Sequence, residues 1–131
     1  MKVLVDTCIW SEALRKKQGQ PVVVAQLSTL IQDDRAILLG LVRQELLSGI
    51  RNKRVFDRIE RQLNPFPDIP LTKEDYITAA RCANACRAKG VQGSAIDFLI
   101  TAIALNYGYS IYTTDHDFNN YQSVLKDLQL H

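Results

Sequence analysis

Residues 95–105 read Ala-Ile-Asp-Phe-Leu-Ile-Thr-Ala-Ile-Ala-Leu, a stretch of helical length with apolar residues on every face and a single charge, Asp97. A helix of that kind has no side to show to water, so it must lie inside a packing of other elements. The charge is then the difficulty. An unpaired carboxylate in an apolar interior costs several kcal/mol or is forced to take a proton. Two compensations are open. Ser94 as N-cap and Asp97 three residues on make a capping-box sequence, with the acid favoured by the helix dipole. Alternatively, Asp97 shares a divalent cation with other acids. The two are compatible, because a capped helix start can also present its acid to a site.

The remaining elements alternate around this helix. Val3-Leu4-Val5 is a continuous apolar run of the type found in strands buried on both faces, and Asp6-Thr7 ends it. Ile9, Trp10, Ala13 and Leu14 recur at helical spacing, as do Val24, Leu27, Leu30 and Ile31 after Pro21. Residues 36–40 read as a second buried strand, followed by a helix carrying Val42, Glu45, Leu46 and Gly49, and by a basic helical segment that ends at Asn64-Pro65. Residues 68–71 are a short strand or an extended link. Thr72 is an N-cap with acids behind it, opening a helix to about Lys89. Gly108 closes the apolar helix, Ser110–Thr113 is a further strand, and a polar loop over Thr114–Asp117 leads to one last short element around Val124, Leu125, Leu128 and Leu130. Strands alternating with helices predict an α/β fold: a central, mostly parallel sheet flanked by helices in a Rossmann-like three-layer arrangement. The 131 residues, 47% hydrophobic, suffice for one domain over 1–131 and not for two.

Several classes are disfavoured. No apolar run approaches the roughly 20 residues that cross a bilayer, and the opening Met1–Val5 run is too short for the core of a signal peptide, so a cytoplasmic protein without membrane contact is expected. Three cysteines do not make a disulfide framework; Cys82 and Cys86, one helical turn apart, read as packed helix cysteines, and zinc would need ligands beyond the distant His116 and His131. The net charge of +2 does not by itself mark a nucleic-acid binder. Arg51, Lys53, Arg54, Arg58 and Arg61 crowd one segment, either as a solvated helix face or as a phosphate-contacting surface. The apolar face around Ile9, Trp10 and Leu14 is a candidate subunit interface.

In parallel α/β sheets, ligands sit at the carboxyl ends of the strands. Asp6 directly follows the first strand, Asp115 lies just past the strand at Ile111-Tyr112, and Glu45 lies in the first turns of the helix after the second strand. With Asp97 these acids would share one rim. Two unit charges about 4 Å apart repel by roughly 4 kcal/mol at an effective dielectric of 20. A hard divalent cation removes that repulsion and prefers oxygen donors, and an all-carboxylate set favours Mg²⁺ or Mn²⁺ over zinc. The chemistry implied is phosphodiester hydrolysis.

At this point the chain resembles PIN-domain ribonucleases, and within them the VapC-like toxins of type II toxin–antitoxin pairs. The resemblance runs from Val3 to about Val124 and rests on four motifs in order: Val3-Leu4-Val5-Asp6-Thr7 with Trp10 behind it, Glu45-Leu46, Asp97-Phe98-Leu99-Ile100-Thr101-Ala102, and Thr113-Thr114-Asp115-His116-Asp117-Phe118. Departures are Cys8, where the family often has Asn or Ser, and Thr101, where it often has Ala. The resemblance implies a metal-dependent endoribonuclease with Asp6, Asp97 and Asp115 as ligands, and Glu45 as a ligand or as the group orienting water. Thr7 and Thr113 would hydrogen-bond the carboxylates or the substrate. Asp117 is read as capping the final segment rather than as an outer ligand, and His116 as an exposed loop residue. Arg51, Lys53 and Arg54 are the candidate RNA contacts. The resemblance further implies Mg²⁺ or Mn²⁺ as cofactor, RNA (transfer RNA included) as substrate, an antitoxin that covers the acidic rim, and a homodimer. Two other readings stay open. One is a catalytically inactive PIN-like module binding RNA or a partner. The other is a Mg²⁺-dependent phosphatase with Asp6 as nucleophile, although no second acid follows Asp6 before Glu12.

Overall fold

A computed structural model describes residues 1–131. Strand β1 (Val3–Val5) leads into helices α1 (Thr7–Leu14) and α2 (Pro21–Gln32), then β2 (Ala36–Ile37), α3 (Gly40–Ser48) and α4 (Lys53–Leu63). Helices α5 (Lys73–Ala88) and α6 (Ala95–Tyr107) follow, then β3 (Ser110–Tyr112), α7 (Asp117–Val124) and β4 (Gln129–Leu130). The four strands form one parallel sheet in the order β2-β1-β3-β4. Leu4 pairs with Ile37 on one side and with Ile111 on the other, so β1 is central, and the Val-Leu-Val run is buried throughout, as expected of a strand covered on both faces. No helix is long and apolar enough to cross a membrane.

The apolar helix α6 buries Phe98 and the run Ile100–Ala104. Gly108 ends it in the left-handed conformation, φ 71°, where a side chain would be strained. Its partner is α5, whose buried residues Asp75, Ala79, Cys82 and Cys86 recur at helical spacing. Both helix cysteines are free, and burial pushes their thiols up. Asp75 is only 1% exposed and is the hub of the α5–α6 contact. It completes a capping box with Thr72, accepting from the Thr72 backbone N–H at 3.0 Å, and accepts from Asn106 Nδ2 at 2.9 Å. Burial works to raise its carboxyl pKa, but the hydrogen bonds from Asn106 and Thr72 outweigh it and hold the group below its ordinary value.

The structure differs from the sequence reading in three places. The second strand is shorter: only Ala36 and Ile37 pair, and the chain turns into α3 at Gly40. Residues 68–71 form no regular element, which leaves the extended link of the two alternatives. The last segment holds both a helix, α7, and a strand, β4, whose Gln129 and Leu130 pair with Ser110 and Ile111. The apolar face of α1 is no open interface, since Ile9 and Trp10 are buried. The Trp10 indole N–H donates to the Val5 carbonyl at 3.1 Å, and its ring meets Phe66 edge-on at 5.1 Å. A Trp that satisfies its N–H inside the core is an anchor of the fold.

Asp75→Ala leaves Asn106 and the Thr72 N–H without their buried acceptor. It is expected to cost about 2 kcal/mol at pH 7, by the penalty for unpaired buried donors. Because the native carboxyl is held below its unfolded value, its contribution is complete above pH 3.8 and is lost as the pH falls through the native value. Urea unfolding of wild type and variant at pH 7 and at pH 2.5 should show the gap closing in acid.

Candidate active site

Strand β1 has β2 on one side and β3 on the other, so the chain leaves it in opposite directions and opens a crevice at the strands' carboxyl ends. Asp6 sits at the mouth of that crevice, as N-cap of α1, and is 8% exposed. Its Oδ1 accepts the Thr7 backbone N–H at 2.8 Å, and its Oδ2 accepts the Thr113 hydroxyl at 2.8 Å. The Thr113 oxygen in turn accepts the Asp115 N–H at 3.0 Å, and Asp115 Oδ1 accepts the Asp117 N–H at 2.9 Å. A single run of hydrogen bonds therefore joins the end of β1 to the start of α7. The Cys8 thiol braces it: Sγ lies 3.7 Å from Asp6 Oδ2 and accepts from the Thr114 N–H at 3.5 Å.

Asp97 reaches the rim from the first turn of α6. Ser94 caps the helix, its hydroxyl accepting the Asp97 N–H at 3.0 Å. The other arm of the expected capping box does not form. The Asp97 carboxylate, which stays close enough to the Ser94 hydroxyl to be stabilised by it, accepts the Tyr121 hydroxyl at 2.7 Å. Asp97, Asp115 and Asp117 each offer a carboxylate oxygen, and the three atoms lie within 4.8 Å of one another.

Of the four sequence-derived acids, the structure brings two within reach of one another and adds a third. Asp97 and Asp115 meet, and Asp117, read from sequence as a cap, brings its carboxylate to them. Asp6 stands outside this trio, yet its charge acts on Asp97, and Glu45 and Asp115 act on it. Glu45 is exposed on α3. Thr113 bonds Asp6 through its hydroxyl as expected. Thr7 does so only through its backbone, and its hydroxyl is buried without a partner. His116 is exposed and makes no capping bond. Arg51, Lys53 and Arg54 are exposed; Lys53 pairs with Asp57 at 3.0 Å, and none of the three is bonded to the acidic group. Sequence reasoning did not single out Tyr121, whose only local signal is helical spacing behind Phe118.

Crowding and burial set the protonation of the site. Burial pushes the Asp6 carboxyl above its ordinary value; the Thr113 and Thr7 hydrogen bonds oppose this, and the charges of Glu45 and Asp115 add to it. Burial also raises Asp97, against the Tyr121 hydroxyl and with the charge of Asp6. Carboxyls held above their ordinary values by burial and by one another's charge, beside a cluster of carboxylate oxygens alone, fit a hard divalent cation.

The PIN domain family model matches residues 3–123. The chain belongs to the PIN domain family. Among relatives of this PIN domain are the VapC ribonuclease Mb1587 of Mycobacterium bovis and ribonuclease VapC11 of Mycobacterium tuberculosis, each 27% identical over 121 residues and matched over 89% of both chains. Solved structures share the fold. FitAcB from Neisseria gonorrhoeae aligns with TM-score 0.80 at 24% identity over 98% of this chain and 95% of its own. VapBC2 from Rickettsia felis, bound to a fragment of its promoter DNA, aligns with TM-score 0.81 at 17% identity over 100% and 98%.

Asp6→Asn removes the buried charge; its amide oxygen can still accept the Thr7 N–H, while its amide NH2 donates to the Thr113 oxygen where the carboxylate accepted. In chelator-treated protein this variant should be more stable than wild type at pH 7. The native carboxyl value is raised, so the wild-type handicap appears as the pH rises through it and vanishes at and below 3.8, where both states are protonated. Thermal unfolding from pH 3.5 to pH 7 should show the two proteins diverging upward from acid.

Proposed function

We propose that this PIN domain is a metal-dependent endoribonuclease, the toxin of a toxin–antitoxin pair, with Asp6, Glu45, Asp97 and Asp115 as its catalytic acids and Asp117 beside them. The observation that carries this reading is the convergence of Asp97, Asp115 and Asp117 oxygens within 4.8 Å, next to a buried Asp6, in a chain whose relatives are named as ribonucleases. Asp97, Asp115 and Asp117 are the residues that would hold Mg²⁺ or Mn²⁺. Such a cation would supply the positive charge that a phosphodiester gathering negative charge requires, together with a more acidic water.

The chain's own residues do the rest. Asp6, fixed through both oxygens by Thr7 and Thr113, adds negative charge behind the trio and keeps the β3–α7 turn in register with β1. Glu45, exposed at the rim, is placed to orient water and take its proton. The water oxygen bonds to phosphorus, one P–O ester bond breaks, and the departing ribose oxygen takes up a proton. Arg51, Lys53 and Arg54 stand exposed to contact RNA phosphates. The same reading makes residues 1–131 one nuclease domain, acting in the cytoplasm as a homodimer and restrained by an antitoxin covering the acidic rim; the structural neighbours include a toxin–antitoxin complex from Klebsiella pneumoniae. A phosphatase using Asp6 as nucleophile is disfavoured, because both oxygens of that buried carboxylate already accept hydrogen bonds.

Purified chain incubated with total cellular RNA should yield discrete fragments with Mg²⁺ or Mn²⁺ and none with chelator. Asp97→Asn should fold and lose at least about 100-fold in rate, the scale of one major electrostatic contribution to a transition state. Cleavage that persists in chelator, or in the folded variant, would overturn the proposal.

A further inference from the structure

Tyr121 is 0% exposed, packed between Phe98 at 5.1 Å and Phe118 at 5.2 Å between ring centres. A buried phenol must place its hydroxyl on a partner, and a backbone carbonyl usually serves. Here the partner is the Asp97 carboxylate, at 2.7 Å. A second observation bears on the same contact. Gly93, in the turn before α6, lies so close to the phenol that a Cβ there would fall 2.4 Å from the Tyr121 hydroxyl oxygen and 2.7 Å from Cζ. No real side chain fits at that distance. Gly93 thus leaves open the one space through which the phenol reaches the first turn of α6.

We infer that Tyr121 is a positioning residue for Asp97, and that Gly93 is the backbone gap that admits it. The hydroxyl has one hydrogen and donates it to Oδ2, which fixes the rotamer of a carboxylate that also faces Asp115 and Asp117. The phenol takes up one lone pair of an Asp97 oxygen and leaves the carboxylate's remaining lone pairs for a cation. A group that orients a metal-ligating carboxylate through a hydrogen bond contributes to metal affinity without touching the metal. The inference rests on the metal reading of the acidic cluster, and it adds residues from α7 and the α5–α6 turn to a site otherwise built on strand ends.

The test is Mn²⁺ binding by calorimetry on RNA-free protein at pH 7.5, with Tyr121→Phe, Gly93→Ala and the double variant. Tyr121→Phe keeps the ring and its aromatic packing, so a merely structural tyrosine predicts unchanged affinity. The positioning role predicts Mn²⁺ binding weakened about 10- to 100-fold with the fold intact. Gly93→Ala keeps the hydroxyl but displaces it, and should weaken binding similarly; in its background Tyr121→Phe should add little, a non-additivity expected of residues serving one contact. Wild-type binding with unchanged affinity in Tyr121→Phe would overturn the inference alone. Wild-type protein that takes up no Mn²⁺ would overturn the metal reading and the inference together. Weakened Mn²⁺ binding in a protein that cleaves no RNA would sustain the inference and sink the nuclease proposal.

Discussion

Five acids at one end of one small sheet repel each other, and much of the architecture near them answers that repulsion. At an effective dielectric near 20, each pair at about 4 Å costs roughly 4 kcal/mol when both members are charged. The protein does not neutralise the group with arginine or lysine; none of its five ion pairs involves Asp6, Glu45, Asp97, Asp115 or Asp117. It supplies hydrogen-bond donors instead: backbone N–H groups of Thr7 and Asp117, and the hydroxyls of Thr113 and Tyr121. Donors of this kind fix each carboxylate and lower its proton affinity in part, yet leave the negative charge unspent. Burial, with neighbouring carboxylate charges adding to it, keeps Asp6 and Asp97 above their ordinary values. A site left electrostatically incomplete in this way is suited to a divalent cation.

The scaffold holds these donors where they are needed by ordinary packing. β1 is buried on both faces and paired on both edges, which fixes the start of α1 and so Asp6. Helices α5 and α6 are tied where the first turn of one meets the last turn of the other, through Asp75, Thr72 and Asn106. That tie anchors the far end of α6, and the Ser94 cap and Gly93 turn define the near end that carries Asp97. Cores of native density transmit small displacements, so changes remote from the rim at these anchors reach the carboxylates.

Much of this was legible in the chain. The Val3–Val5 run, the apolar α6, the Thr72 cap and the alternation of strands and helices led to a parallel α/β sheet, and the rule that ligands gather at strand carboxyl ends led to Asp6, Glu45 and Asp115. Other features were not legible because their signals are local and weak. Strand β4 is two residues long and exists through pairing with β3, so periodicity could not reveal it. Trp10 looked like part of an exposed apolar face because sequence shows hydrophobicity without showing what covers it; Phe66, far along the chain, does. Asp117 read as a cap because it stands at a helix start; it is the first helical residue behind His116, and the neighbours its carboxylate meets across the fold leave no local signal.

The sequence by itself determined which elements end in acids, and that α6 carries a charge into a place where one is costly. Local rules suffice there, since strand burial, helix periodicity and capping depend on neighbours in the chain. The tertiary structure decided the company each acid keeps. Asp97 keeps its helix cap at Ser94 and gains a partner across the fold, the tyrosine hydroxyl that α7 brings from 24 residues away. A hydrogen bond between elements depends on the relative placement of two helices, which is fixed only when the whole core packs. For that reason the membership of the acidic trio and the role of Gly93 belong to the fold rather than to any motif.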